Sequence, residues 1–284
     1  MIPSPARWLV VVDLDAGAPG TPGRVHLAVP VPDRVVSALL VPRMSTEAVV
    51  GWDQQLGDVV AERRRQLGTI VVSSEPLSDP DPAAVSAAFT EGITRRGMSL
   101  LPRWSEADDL RGRVAWMAAT HPDDDWPDWS EDTLVAGLSG WLGVQLGKAR
   151  RAADLQRIDV VGALSATLDH QQRRSLDLEA PTHWSTGVGR KVKLRYGEID
   201  GDATSVVASV SIRDVIGIDE HPRIGRAHMP VTLELLSPAG RPVQRTNDLP
   251  GFWRGSYSAV RADLRGRYPK HPWPDRPWEP FERA

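Results

Sequence analysis

Leu249-Pro250-Gly251-Phe252-Trp253-Arg254-Gly255-Ser256-Tyr257-Ser258-Ala259-Val260-Arg261-Ala262-Asp263-Leu264-Arg265 is the stretch from which the rest of the chain is read. Taken as a helix after Pro250, it sets Trp253, Tyr257, Val260 and Leu264 at i, i+4, i+7 and i+11, which makes one apolar stripe. Arg254, Arg261 and Arg265 each follow one residue later and form a cationic stripe about 100° around the same helix. Such a helix buries one side and offers guanidinium groups along its flank. Gly255 and Gly266 each cost roughly 1 kcal/mol against Ala in a helix interior, so the helix needs tertiary support. Beyond it, Tyr268 to Pro280 is proline-rich and carries Trp273 and Trp278. Proline fixes φ and restricts the residue before it, so this tail should be extended.

Upstream of the helix, Val231, Leu233 and Leu235 alternate with Thr232 and Glu234, and Ser237 to Pro242 turns the chain into Val243 to Arg245. Val206 to Val210 reads as a strand that runs into a short helix ended by Gly217. Lys191, Lys193 and Arg195 alternate with Val192, Leu194 and Tyr196, a strand with one cationic and one apolar face. From Pro82 to Leu178 the period is helical. Ser105 with Asp108 has capping-box spacing, with Ala107, Leu110, Val114 and Met117 facing inward. Ser130 is placed as the cap of a second helix (Leu134, Leu138, Trp141 and Leu142 inward) and Asp159 as the cap of a third (Val161, Leu164 and Leu168 inward). Ser73 to Pro82 is a polar connector.

The first 75 residues read as strands: Trp8 to Leu14, Val25 to Val29, a hairpin of Glu47 to Trp52 and Asp58 to Arg65 around Gln54 to Gly57, and Thr69 to Ser73. A short helix falls at Val35 to Leu40. The fold class is α+β, in three parts: a β unit over 1–75, a helical part over 76–180 and a mixed α/β part over 181–284.

Several of these segments resemble the C-terminal region of bacterial HrpB-type ATP-dependent helicases of the DExH class. The resemblance runs through Leu249 to Tyr257 and then Arg265-Gly266-Arg267-Tyr268-Pro269-Lys270-His271-Pro272-Trp273-Pro274. It extends upstream to Leu235-Leu236-Ser237-Pro238, Ala180-Pro181-Thr182-His183, Leu101 to Ala107, Arg63-Arg64-Arg65-Gln66-Leu67-Gly68 and Trp8-Leu9-Val10-Val11. It implies a partial OB-fold-like β-barrel over residues 1–75. In that family the barrel helix follows the third strand, whereas here it follows the second. The expectation is therefore that the first barrel strand lies upstream of Met1 and that its loss leaves an exposed edge. The resemblance also implies single-stranded RNA or another nucleic acid as partner, helicase motor domains in cis or in trans, and a cytoplasmic setting. His183 is expected to hydrogen-bond at a domain junction.

The motor itself is not written in these residues. An ATP-driven helicase needs a P-loop, whose backbone amides cradle phosphates while Lys and Ser/Thr serve the γ-phosphate and Mg²⁺. Gly143-Val144-Gln145-Leu146-Gly147-Lys148-Ala149 is one residue short and lacks the hydroxyl. Asp219-Glu220-His221-Pro222 has no P-loop to serve. ATP and Mg²⁺ are therefore expected only in motor domains, and no cofactor or catalytic residue is assigned to this chain. A hydrolase reading would rest on His121 with Asp123, Asp124 and Asp125, which reads better as a solvated loop.

Composition agrees with an ordinary chain of 284 residues, long enough for two or three cores. With no cysteine there can be no disulfide, thiolate metal site or cysteine nucleophile. No run approaches the roughly 18 apolar residues of a membrane span. The net charge of −3 hides an asymmetry. Residues 181–284 hold 16 Lys+Arg against 12 Asp+Glu, and the remainder 18 against 25. A basic C-terminal third suits a polyanion.

The candidate nucleic-acid contacts are Arg63, Arg64 and Arg65 on the β unit, Arg190, Lys191, Lys193 and Arg195 on the two-faced strand, and Arg254, Arg261, Arg265, Lys270 and Trp273 near the C-terminus. Guanidinium forks suit phosphates and indoles can stack bases. Two functions follow: a non-catalytic accessory region of an ATP-dependent RNA helicase, or a free-standing single-stranded nucleic-acid-binding or scaffold protein.

Overall fold

Alternation of Val25, Leu27 and Val29 with His26 and Ala28 gives a strand, Arg24–Pro30 (β2), which pairs antiparallel with Leu9–Asp15 (β1). The computed structural model describes residues 8–15, 17, 22–197 and 202–280. Both faces of the β1–β2 hairpin are apolar and open. Leu9, Val10, Val11, Val12, Leu14, Val25, Leu27 and Val29 are each between 43% and 61% exposed. Asp33–Leu39 (α1) follows, and then Ser45–Asp53 (β3), Asp58–Leu67 (β4) and Ile70–Pro76 (β5) form a second antiparallel ladder in that order. The turn between β3 and β4 falls where the sequence placed it. Asp53 Oδ1 accepts the Gln55 and Leu56 amides at 2.8 and 2.9 Å, and Gly57 takes φ +66°. Among the described residues the five strands make two separate ladders and no closed sheet.

Asp81 accepts the Ala83 amide at 3.1 Å and, with Pro82 in the first turn, starts Pro82–Arg96 (α2), which ends at Gly97. The capping box expected at Ser105 does not form. Trp104–Ala107 is a 3-10 turn that leads directly into Asp108–Thr120 (α3), so Ser105 lies inside helical backbone, and Asp108 pairs with Arg111 instead (3.3 Å). Ser130 does cap a helix, but the single helix expected there is three short ones: Glu131–Ala136 (α4), Leu138–Trp141 (α5) and Gly143–Lys148 (α6). The breaks fall at Gly137 and at Leu142, before Gly143, where glycine weakens the helix. Leu134, Leu138 and Leu142 are still buried. Asp159 caps Val160–Ser165 (α7) through the Gly162 amide at 2.9 Å. Asp169 and Gln172 form a capping box on His170–Glu179 (α8) that the sequence reading passed over.

The last part is a mixed sheet. Its elements are His183–Ser185 (β6), Lys191–Tyr196 (β7), Val206–Ser211 (β8), the short ladder of Arg223–Ile224 (β9) with Met229–Pro230 (β10), Thr232–Leu236 (β11) and Pro242–Thr246 (β12). The five-stranded order is β12-β11-β8-β7-β6. Among the described residues only β8 and β11 run parallel. Val192, Leu194, Val206, Ala208, Val210, Leu233 and Leu235 bury one face of the sheet in the common core. Trp116 of α3 is fully buried, donates Nε1–H to the Thr204 carbonyl at 3.0 Å and packs edge-on to Tyr196 at 5.6 Å.

The signature helix is two helices, Leu249–Arg254 (α9) and Tyr257–Arg267 (α10), interrupted at Gly255. Its apolar stripe survives the break, with Trp253, Tyr257 and Leu264 buried. The tail has no regular structure but is tied down. Gly217 N–H donates to the Pro277 carbonyl at 2.7 Å, and the Tyr257 hydroxyl donates to the Pro274 carbonyl at 3.0 Å. Burial pushes the Tyr257 phenol up to about 12.

His221 sets a pH dependence. Its Nδ1 accepts the N–H of Leu249, the first residue of α9, at 3.1 Å, and burial holds its pKa below the ordinary histidine value. Protonation would remove that acceptor. The unfolded chain takes up the proton near pH 6.5 and the folded one only lower. The contribution of His221 is therefore intact above about pH 6.5 and lost as the pH falls toward its folded value. Urea midpoints measured from pH 7.5 to 5 should fall more steeply for this chain than for His221→Asn, whose amide oxygen can still accept the Leu249 N–H. Parallel curves would refute the assignment.

Candidate nucleic-acid interface

Two-residue alternation sends Lys191, Lys193 and Arg195 to one side of β7 and Val192, Leu194 and Tyr196 to the other, and burial follows that alternation. The hairpin before β7 closes through Thr186 and Arg190, with Thr186 N–H donating to the Arg190 carbonyl at 2.9 Å and Arg190 N–H to Thr186 Oγ1 at 3.1 Å. Gly189 supplies the left-handed residue at φ +77°. The open side of the sheet carries two distinct sets of charges.

One set is spent internally. Glu234 on β11 accepts from the Ser209 hydroxyl at 2.6 Å and lies 3.4 Å from Arg245 and 3.6 Å from Arg195. The Ser209 hydrogen bond first, and then Arg245, hold the Glu234 carboxyl below its ordinary value. Arg195 also donates to Ser209 Oγ at 2.9 Å. This face is cross-linked, and Arg195 is held within it.

The second set surrounds a crevice of about 370 Å³ at the carboxyl ends of the parallel strands β8 and β11. Arg190, Lys191, Lys193 and Arg213 line it, with Ser209, Ser211 and Ser237 and one carboxylate, Asp214. Asp214 is only 2% exposed; Arg190 reaches it at 2.9 Å and Arg213 at 3.9 Å. Lys193 is bridged to Asp109 of α3. Lys191 also borders a second polar hollow, of about 340 Å³, that is lined by Arg113, Asp177, Thr182 and His183. His183 is exposed and its Nδ1 lies 3.0 Å from Thr182 Oγ1, a local contact beside the helix-to-sheet junction. In open α/β sheets ligands favour crevices beyond the carboxyl ends of parallel strands, and four cations against the two carboxylates Asp214 and Asp109 leave an excess of positive charge that suits an anion there.

The structure thus gathers Arg190, Lys191 and Lys193 into one site and leaves Arg195 beside it. It adds Arg213, which the sequence reading missed. The available signal was Arg213-Asp214 directly after a strand, but its value depends on β8 pairing antiparallel with β7, which alternation alone cannot give. The other candidates lie elsewhere. Arg63 and Arg65 share one exposed face of β4, and Arg64 is on the other, paired with Glu62 at 3.0 Å. Arg254 pairs with Asp219 at 2.9 Å and stacks at 5.8 Å over Trp278, and Arg261 pairs with Asp275. Arg265 and Lys270 are exposed. Trp273 is half-buried and donates Nε1–H to the Tyr268 carbonyl at 3.0 Å. Among the described residues no three His, Cys, Asp or Glu side chains converge as metal ligands, and Asp124 of the acidic loop pairs with Arg226. No helix among them is long and apolar enough to cross a membrane.

Residues 141–277 match a family model described as the C-terminal region of ATP-dependent helicases, and residues 43–77 match the connector region of the ATP-dependent RNA helicase HrpB. The chain corresponds to the C-terminal portion of HrpB-type helicases. It is 35% identical over 273 residues to the ATP-dependent RNA helicase HrpB of Escherichia coli (strain K12), covering 95% of this chain and 33% of that protein. Two solved structures agree. The crystal structure of the E. coli DExH-box NTPase HrpB has a TM-score of 0.68 at 33% identity, covering 96% of this chain and 33% of that one. A crystal structure described as the E. coli DEAH/RHA helicase HrpB has a TM-score of 0.60 at 30% identity, covering 94% and 33%. The chain therefore spans about a third of the length of the HrpB proteins it matches.

Proposed function

We propose that the chain is a non-catalytic accessory region of an ATP-dependent RNA helicase of the HrpB type. In this reading it guides single-stranded RNA along the open side of the C-terminal sheet and docks on motor domains, in cis or in trans, that hold ATP and Mg²⁺. The observation that supports it best is the cationic crevice at the ends of β8 and β11, in a chain without a P-loop. The β1–β2 hairpin supports the docking half. A lone two-stranded hairpin is marginal in water, and apolar side chains open on both faces call for a covering partner. In this proposal β1 to β5 form an OB-like unit whose open hairpin is covered by the motor.

RNA binding by the chain should weaken with salt, log affinity falling against log salt with a slope of about −0.7 per phosphate contacted. Lys191→Ala should make that slope shallower by about one contact. ATPase activity of the chain alone should stay at background and rise only when an HrpB-type motor is added. Turnover by the chain alone would refute the proposal. Salt-sensitive RNA binding combined with indifference to every motor would favour the free-standing binding protein instead.

A further inference from the structure

The crevice is built more narrowly than a path for an RNA backbone. At about 370 Å³ it lies near the lower end of ligand pockets, which leaves room for one phosphate and its sugar but not for a run of nucleotides. Asp214 is almost wholly buried and carries ion pairs to Arg190 and Arg213, so it anchors two guanidinium groups more than it repels an incoming anion. Ser211, the last residue of β8, lines the same crevice, and its hydroxyl is buried with no hydrogen-bond partner in the protein. Buried polar groups without partners are uncommon and mark places where a ligand or water completes the bonding. Lys191 adds an exposed ammonium at the rim.

An internal phosphodiester carries one negative charge and must enter and leave a groove. A phosphomonoester brings about −1.5 to −2 charges at pH 7 and three strong acceptor oxygens on a group that ends the chain. Charge-assisted bonds from guanidinium and ammonium donors match that group better. We propose that this crevice is a receptor for a phosphomonoester, and that on RNA it captures a terminal phosphate. The second half of the statement rests on the RNA reading above; the first does not.

The test uses the full chain and one single-stranded RNA sequence carrying a 5′-phosphate, a 3′-phosphate or hydroxyls at both ends, measured by fluorescence anisotropy. One phosphorylated form should bind at least about tenfold more tightly than the hydroxyl form, the factor that about 1.4 kcal/mol represents. Inorganic phosphate and adenosine 5′-monophosphate should compete with that form and not with the hydroxyl form. Lys191→Ala with Arg213→Ala, and separately Ser211→Ala, should abolish the gain, whereas a change at the exposed Arg173 of α8, Arg173→Ala, should keep it. Thermal unfolding of each variant confirms that it is folded.

Equal binding of all three RNAs would overturn the terminal-phosphate site while leaving the RNA reading intact. Binding of no RNA, combined with a rise in unfolding temperature in inorganic phosphate that the double variant loses, would uphold the phosphomonoester receptor and overturn its RNA source. No response to any phosphate would overturn the receptor itself.

Discussion

Arg113→Ala should lower the unfolding free energy by about 2 kcal/mol, since the buried Ala180 carbonyl would lose its donor, at roughly 1–3 kcal/mol, while the Leu176 carbonyl would keep the Ala180 N–H. Arg113 lies on α3 and is only 8% exposed. Its Nε–H donates to the Ala180 carbonyl at 2.6 Å and its Nη2 to the Leu176 carbonyl at 3.0 Å, with Asp177 also at 3.0 Å. The Leu176 carbonyl also accepts the Ala180 N–H at 3.1 Å, whereas the Ala180 carbonyl lies past the last turn of α8, so the guanidinium caps the C-terminal end of that helix from another element. Ala180 and Pro181 then lead directly into β6, and the Tyr196 hydroxyl donates to the Pro181 carbonyl. One side chain thus fastens the helices to the sheet that carries the crevice.

The controls separate cap from charge. Asp177 is 79% exposed on its side chain, so Asp177→Ala should shift stability by no more than about 0.5–1 kcal/mol. Arg113→Lys keeps the charge but cannot span both carbonyls with a planar fork, and should fall between wild type and alanine. Urea unfolding followed by circular dichroism gives all three values. An alanine variant as stable as Asp177→Ala would show that the fork does not hold the junction.

Arg113 also shows what the sequence could not disclose. In the pattern of α3 it is one more polar residue beside the inward positions Val114 and Met117, and its partners are 63 to 67 residues away. Local features were legible because their causes are local: Asp159 before an apolar run, alternation along β7, and a turn after Asp53. The long helices expected after Ser130 and Pro250 were not, because glycines that a stripe can tolerate became break points once tertiary packing fixed each short piece. For the site, the alternation on β7 gave Lys191 and Lys193 and the preceding loop gave Arg190. It could not show that Arg195 is bound to Ser209 and Glu234, nor that the antiparallel pairing of β7 with β8 brings Arg213 beside them. The cations of α9 and α10 illustrate the same limit: Arg254 and Arg261 keep their helical spacing but face Asp219 and Asp275, residues that no period connects to them.

Gly92→Val should cost about 3 kcal/mol, the upper part of the range for overpacking a well-filled core. Gly92 is buried on α2, and a Cβ there would stand 2.5 to 2.8 Å from three atoms of the Trp52 indole, well inside contact distance. Trp52 cannot easily yield. It is 9% exposed, packs 6.3 Å from Phe89, and lies beneath the Arg96 guanidinium at 5.6 Å, while Arg96 is itself held by the Gln54 carbonyl at 2.8 Å. Glycine is the wrong residue for helix propensity, by roughly 1 kcal/mol against Ala, and its presence in mid-helix is explained by this approach. Gly92→Ala should therefore still destabilise, because the clash outweighs the propensity gained. Pairing either change with Trp52→Leu makes the argument decisive. If the ring is the obstacle, the double variant loses less than the sum of the two single losses, with a coupling of about 0.5–3 kcal/mol; simple additivity would mean that Gly92 is there for another reason. RNA affinity should be unchanged in any of these variants that stay folded, because the crevice residues all lie on or beside β7, β8 and β11 and none belongs to the β3–β5 ladder that Trp52 anchors.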